Sequence, residues 1–238
     1  MATLYVIGTP IGNLEDITLR ALRILKEVDL VLCEDTRVTQ KLLKHYGIVN
    51  KQLSTYNEQK SGAKVEKIIG WLEDGKNLAL VSDAGTPTIS DPGARLVSRV
   101  HEELKVGPPG NSRSDLGIKI ESVPGPSALT AALSIAGVPA SEFAFLGFLP
   151  HKKGRETLFK EIALTKRTVV FYESPHRILK TLASLEKHTP ARQIRIVKEL
   201  TKIHEEVILG TPEEILSFFE KHKDKARGEF VIIVSPKK

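Results

Sequence analysis

The chain has 238 residues, of which 41% are hydrophobic and 27% charged, with a formal net charge of +6 at pH 7. That length can bury a large core in one big domain or two smaller ones, and the composition is ordinary for a globular protein. Cys33 is the only cysteine, which excludes an internal disulfide and a cysteine-based zinc cluster. No segment approaches the length of a bilayer span. The N-terminus has no basic region, and its apolar run is too short for a signal peptide, so a cytoplasmic location is expected.

Residues 4–7 read as a first strand, followed by Gly8-Thr9-Pro10-Ile11-Gly12-Asn13. Residues 17–28 read as an amphipathic helix with an acidic start at Glu15-Asp16 and apolar Ile17, Ala21, Leu25 and Val28 on one face. A second strand over 30–33, a helix over 36–45 and a helix over 65–72 come next. The apolar run 78–81 reads as a buried strand. It feeds Ser82-Asp83-Ala84-Gly85-Thr86-Pro87-Thr88-Ile89-Ser90-Asp91-Pro92-Gly93, where two glycines and two prolines crowd the carboxyl end of a strand. Open α/β sheets bind ligands there, and such a segment presents main-chain groups at close range. A helix over 96–104, a Gly/Pro-rich surface loop over 106–115, a strand over 118–123 and a helix over 128–135 follow. The alternation predicts a mainly parallel, doubly wound sheet.

The pattern resets around Gly137-Val138-Pro139-Ala140-Ser141, which sets two expected domains, 1–138 and 139–238. Strands are expected over 143–149, 168–172, 194–197, 206–209 and 230–234, with helices over 178–185 and 212–219. Strands outnumber helices, so the second sheet is expected to be mixed. Thr211-Pro212-Glu213-Glu214 has the form of a capping box with proline at the first helical position. The charge is unevenly placed: residues 1–138 carry 16 Lys/Arg against 16 Asp/Glu, and residues 139–238 carry 19 against 13. That asymmetry fits either a polyanion partner for the second half or a solvated lysine-rich surface.

Familiar site motifs are absent. The first loop lacks the G-x-G-x-x-G spacing, and there is no Walker A lysine or G-x-S-x-G elbow. None of the seven histidines forms a metal-ligand pair, so no metal is expected. What remains is three Gly/Pro loops at strand ends, 8–13, 83–93 and 123–127. Together they point to a ligand cleft.

Six motifs carry a resemblance: Tyr5 to Leu14, Cys33-Glu34-Asp35-Thr36-Arg37, the loop 83–93, Val123-Pro124-Gly125-Pro126-Ser127-Ala128, Phe145-Leu146-Gly147-Phe148-Leu149-Pro150 and Tyr172-Glu173-Ser174-Pro175-His176-Arg177. Lys198-Glu199-Leu200-Thr201-Lys202 and Gly228-Glu229 extend it towards the end. The chain resembles the tetrapyrrole methylase family and, within it, the branch that methylates small-subunit ribosomal RNA. The loop 106–115 looks longer than is usual there. The resemblance implies two α/β domains with S-adenosylmethionine in the cleft between them, a homodimer with no membrane attachment, and methyl transfer to the 2′-hydroxyl of a cytidine in the decoding region. The assembled small subunit is the expected substrate. The implied cofactor contacts are Pro10, Ile11, Gly85, Thr86, Pro87, Ile89, Ser127, Ala128, Tyr172, Leu200 and Glu229.

A ribose hydroxyl is a poor nucleophile near neutral pH, so the reaction calls for a base or a cationic stabiliser. Asp35, Glu173 and Glu199 are the base candidates, with Lys198 or Lys202 as alkoxide stabilisers. Asp35 could equally cap the next helix, and Glu199 could pair with a neighbouring lysine. Arg37, His176, Arg177 and Lys202 are the candidate RNA contacts. Two other readings stay open: carbon methylation of a corrin-type macrocycle, and a non-catalytic RNA-binding assembly factor.

Overall fold

The computed structural model describes residues 2–56, 62–91, 93–103 and 117–237, so the loop expected over 106–115 lies outside the described residues. The chain divides into two compact units, Met1–Ser127 and Ala128–Lys238.

In the first unit β1 (Thr3–Ile7), α1 (Leu19–Glu27), β2 (Leu30–Cys33), α2 (Thr36–His45), β3 (Gln52–Thr55), α3 (Gly62–Glu73), β4 (Leu78–Val81), α4 (Ala94–Glu103) and β5 (Lys119–Val123) alternate. The sheet order is β3-β2-β4-β1-β5 and every pair is parallel. β2 and β4 are buried throughout, as continuous apolar runs in a sheet covered on both faces must be. Leu30, Leu32, Leu78 and Leu80 join Ile68, Leu72 and Leu96 in one cluster, while Val31, Ala79 and Val81 join Ala21, Ile24 and Leu25 in another. Alternate residues of each strand therefore feed opposite helix layers. The expected helix over 17–28 starts at Leu19, because the Thr18 hydroxyl accepts a hydrogen bond from Ala21 N at 3.1 Å and caps it. β3 was not expected: Gln52, Leu53, Ser54 and Thr55 form a short, half-exposed strand at the sheet edge, with too little apolar alternation to stand out.

In the second unit α5 (Ala128–Ala136), β6 (Phe143–Phe148), α6 (Arg155–Leu164), β7 (Thr168–Glu173), α7 (Ile178–His188), β8 (Ile194–Lys198), β9 (Glu206–Gly210), α8 (Pro212–Lys221) and β10 (Phe230–Val234) build a sheet of order β6-β7-β10-β8-β9. β6 and β7 are parallel and the other pairs antiparallel, giving the mixed sheet expected. Phe230, Ile232 and Val234 of the central strand pack with Phe159, Ile162, Leu182 and Phe219. The Thr211–Glu214 capping box forms in both directions. α6 was not expected. It follows the left-handed Gly154 with no side-chain cap and opens on a buried arginine, so its start carries no ordinary signal.

The units meet before α5 rather than after it, where residues 137–141 suggested the break. α5 packs on β8 and β10, and the Ala136 carbonyl accepts from Arg195 Nε at 3.1 Å. Residues 128–138 hold no charged side chain, so the split of 16:16 and 19:13 is unchanged. Among the described residues no helix is long and apolar enough to cross a membrane.

The first unit depends on a close backbone crossing beyond β1 and β5. Gly8 N donates to Val123 O at 3.2 Å. A Cβ on Gly8 would lie 2.8 Å from Gly125 Cα, and one on Gly125 would lie 2.8 Å from Gly8 O. Gly125→Ala should therefore lower the thermal midpoint, through an overpacking cost of about 1–3 kcal/mol. Gly70→Ala, inside α3 with nothing within 4 Å of its Cβ position, should raise it, by about 1 kcal/mol of helix propensity. Opposite signs in a calorimetric scan of the two variants are the expected result.

Candidate functional site

All five strands of the first sheet run the same way, so the loops after β1, β4 and β5 emerge on one edge. Thr9 and Gly85 exchange both backbone hydrogen bonds, at 2.9 and 3.0 Å, and the Thr9 hydroxyl donates to Ser82 O at 3.1 Å. The Thr86 hydroxyl donates to Pro126 O at 3.0 Å, tying the second loop to the third. Gly85 sits at φ +82°, so a side chain there would be strained, and its Cβ position lies in van der Waals contact with Ile11 Cγ2 at 3.4 Å. Pro10, Ile11, Gly85, Thr86, Pro87 and Ile89 thus share one rim. Pro10, Gly85 and Pro87 are buried, and Ile89 is exposed. Thr88 and Ser90 also have left-handed backbones, at φ 76° and 66°, a strain of about 1–3 kcal/mol each. A 2.5 Å bond from Thr88 N to Asp91 Oδ1 helps hold that shape. Ser127 and Ala128 stand at the division between the units.

At the end of β2 two adjacent carboxylates differ. Asp35 caps α2, accepting from Arg37 N at 2.8 Å and from the Arg37 guanidinium at 2.6 Å. The Arg37 side-chain hydrogen bonds hold its carboxyl at about 2, which makes it a weak base. Asp35 therefore caps α2 in this structure, one of the two roles its position allowed. Glu34 behaves in the opposite way. Burial pushes its carboxyl above the ordinary value, and the Asp83 and Asp91 charges add to that against one opposing bond from Asp83 N. The motif reading passed over Glu34. The signal that could have found it is the start of α2: a residue placed as Asp35 is placed to cap, which leaves its neighbour.

In the second sheet the carboxyl ends of β7 and β8 and the start of the antiparallel β10 lie on one edge. Tyr172, Glu173, His176, Arg177, Lys198, Glu199, Leu200, Lys202 and Glu229 all come from that edge. Glu173, expected as a possible base, is buried and fully engaged. It accepts from Ser174 N at 2.9 Å and Thr181 Oγ1 at 2.5 Å, and it pairs with Arg177 at 3.1 Å and Arg155 at 3.6 Å. Arg177 also donates to Leu149 O at 2.6 Å, so its guanidinium braces a turn rather than standing free for phosphate. His176 is exposed. Tyr172 packs edge-on against Phe145 and Phe148, with ring centroids at 5.0 and 5.4 Å.

Glu199 holds the turn after β8. Its carboxylate accepts from Glu229 N at 2.8 Å and Lys202 Nζ at 3.0 Å, and Lys202 reaches Glu229 Oε2 at 2.8 Å. Burial pushes the Glu199 carboxyl up, but the Glu229 amide and Lys202 outweigh it and hold it below the ordinary range. Glu199 and Lys202 thus hold the turn as an ion pair, the lysine pairing that stood beside the expected base role. Two side chains there make no hydrogen bond among the described residues. Lys198 is 7% exposed and makes no hydrogen bond or ion pair among the described residues. Thr201, left-handed at φ 64°, has a buried hydroxyl with no partner. Lys198 lies in register with Phe230 and Glu173, whereas Tyr172 lies in register with Val231 and Val197. Lys198 and Tyr172 therefore occupy opposite faces of the sheet.

Several cations of the basic second unit are also turned inward. Arg192 donates to Ile162 O at 2.5 Å and to Ser235 O, and Arg195 binds Ala136 O.

Two predictions separate structural from chemical carboxylates. Glu173→Ala should destabilise the protein by about 3–5 kcal/mol, because it strands a buried arginine; a variant with unchanged stability would remove Glu173 from the bracing role. Asp35 should titrate near 2 when followed by carboxyl NMR. Its pairing energy is present above the unfolded value of about 4 and is lost as pH falls toward the folded one, so a midpoint near 4 would break the assignment.

Residues 3–216 match the family model described as Tetrapyrrole (Corrin/Porphyrin) Methylases. The chain is 45% identical over 237 residues to "Ribosomal RNA small subunit methyltransferase I" of Thermotoga maritima, covering 100% of both chains. It is 44% identical over 235 residues to the protein of the same name in Neisseria meningitidis, covering 98% of this chain and 76% of that one. The structure of uroporphyrin-III C-methyl transferase from Thermus thermophilus complexed with S-adenyl homocysteine shares the fold at a TM-score of 0.61 and 19% identity, over 98% of this chain and 97% of that one. The chain belongs to the tetrapyrrole (corrin/porphyrin) methylase family and groups within it with the proteins named ribosomal RNA small subunit methyltransferase I.

Proposed function

We propose that this chain methylates a ribose 2′-hydroxyl of a cytidine in the decoding region of small-subunit ribosomal RNA, with S-adenosylmethionine as donor. We place it in the cytoplasm, as a homodimer acting on the assembled subunit. The observation that carries the reading is the end-to-end similarity, at 45% identity, to a protein named for methylating small-subunit ribosomal RNA. A fold neighbour complexed with S-adenyl homocysteine supports the donor.

The residues present fit that donor. The rim of the first unit offers close backbone approach at Gly85 beside apolar Pro10, Ile11, Pro87 and Ile89. In the second unit, the partnerless Thr201 hydroxyl beside Leu200 is a buried group that a polar ligand would satisfy. S-adenosylmethionine supplies an electrophilic methyl on a sulfonium. Uncharged walls suit it, since a carboxylate in contact would stabilise the ground state more than the charge-dispersed transition state.

As the new oxygen–carbon bond forms and the carbon–sulfur bond breaks, sulfur keeps the electron pair and the hydroxyl proton must leave. Glu34 is the carboxyl whose raised proton affinity suits it to take that proton, whereas Asp35 and Glu199 are held ionised. From the second unit we carry forward Tyr172, Leu200 and Glu229 as cofactor contacts and His176 as an RNA contact; Lys198, on the opposite face of the sheet from Tyr172, is not carried forward as the alkoxide stabiliser.

Purified protein incubated with labelled S-adenosylmethionine and unmodified small subunits should yield a single 2′-O-methylcytidine in the decoding region, mapped by mass spectrometry. Cofactor binding without incorporation would overturn the reading in favour of a macrocycle substrate or a non-catalytic role. Glu34→Gln should slow turnover by roughly 10²-fold or more while leaving cofactor affinity intact. The wild-type rate should rise as pH climbs through the elevated Glu34 value, because only the ionised carboxylate accepts a proton. Asp35→Asn should keep that rise.

A further inference from the structure

The first unit is charge-balanced as a whole, with 16 Lys/Arg against 16 Asp/Glu, yet one groove on it is not. A groove of about 950 Å³ runs beside α2 and the edge strand β3, and its lining holds Arg37, Lys41, Lys44 and Lys51 but only one carboxylate, Asp35. Asp35 is committed to capping α2 and to Arg37. Lys51 turns its ammonium to the end of α1, donating to Lys26 O and Val28 O at 2.8 and 2.6 Å. The side chains of Lys41 and Lys44 are exposed and make no hydrogen bond or ion pair among the described residues.

We propose that this groove is a docking surface for the phosphate backbone of the substrate RNA, an assignment that rests on the proposed function. Arg37, Lys41 and Lys44 stand at positions i, i+4 and i+7 of α2 and so form one row about 10 Å long. Successive cations are about 4.5–6 Å apart along the axis, so the row spans roughly three phosphates of one duplex strand at about 3.4 Å each. The row starts at the carboxyl end of β2, on the same sheet edge as the rim loops, and runs away from it along the helix. Val38 and Val49, 40% and 69% exposed, line the same groove and give sugars or bases an apolar surface between the cations. A row of three cations facing one committed carboxylate is complementary to a polyanion.

The test is equilibrium binding of the full-length Lys41→Gln/Lys44→Gln variant to unmodified small subunits between 50 and 200 mM salt, beside wild type. Loss of two phosphate contacts should weaken binding and flatten the slope of log K against log salt by about 1.4–1.8. S-adenosylmethionine affinity and the thermal midpoint should stay at wild-type values, which shows that the fold is intact. An unchanged slope, or wild-type binding that polyglutamate displaces as readily as the subunit RNA does, overturns the proposal. Methyl transfer by wild type is read separately: RNA binding with the expected slope change but no transfer would sink the proposed function and leave the groove assignment standing.

Discussion

The contact on which the first unit depends is the crossing of Gly8 and Gly125, two backbones so close that neither tolerates a Cβ. It closes the ends of β1 and β5, and the two-way bridge between Thr9 and Gly85 then fastens the β4 loop to the same point. The side-chain hydroxyls of Thr9, Ser82 and Thr86 are spent on main-chain carbonyls of these loops. Loops are ordinarily the softest part of an α/β unit, but here three of them are lashed into one surface. That rigidity lets the strained backbones at Thr88 and Ser90 persist, since strain survives only where the surroundings over-determine it.

The same economy sorts the ionisable groups. A carboxylate ringed by donors is a strut, and Glu173, Glu199 and Asp35 are each ringed. Glu34 is the member of the set whose carboxyl is pushed up, by burial first and by the Asp83 and Asp91 charges after it, with one amide to oppose them. The cations divide likewise within each unit: Arg155, Arg177, Arg192 and Arg195 brace the second unit from inside, while Lys152 and Lys153 on it, like Lys41 and Lys44 on the first, are exposed with no side-chain hydrogen bond or ion pair among the described residues.

Most of the architecture was legible in the sequence because its elements carry strong local signals. β10 is an unbroken apolar run, α2 begins with its own cap, and the loops after β1, β4 and β5 are marked by glycine and proline. β3 escaped because an edge strand needs little apolar content, and α6 because its first residue is an arginine whose burial depends on Glu173. The site was legible as a set of motifs, but not residue by residue. Membership of a motif does not reveal which of two adjacent acids caps a helix and which is forced to share space with Asp83. That distinction arises from packing between β2 and β4, strands separated by more than forty positions in the chain.

The order of the first sheet has a consequence for how the chain is made. β1 leaves the ribosome well before its sheet neighbours, β4 and β5. Its backbone groups have no sheet partner until Leu78–Val81 is synthesised, and its second side stays open until Lys119–Val123 follows. At usual translation speeds that interval is on the order of ten seconds, during which β2 and β3 can already pair. Long-range parallel pairing is slow in any case. The rim therefore assembles late and in a single event, when β5 docks and brings Gly125 against Gly8.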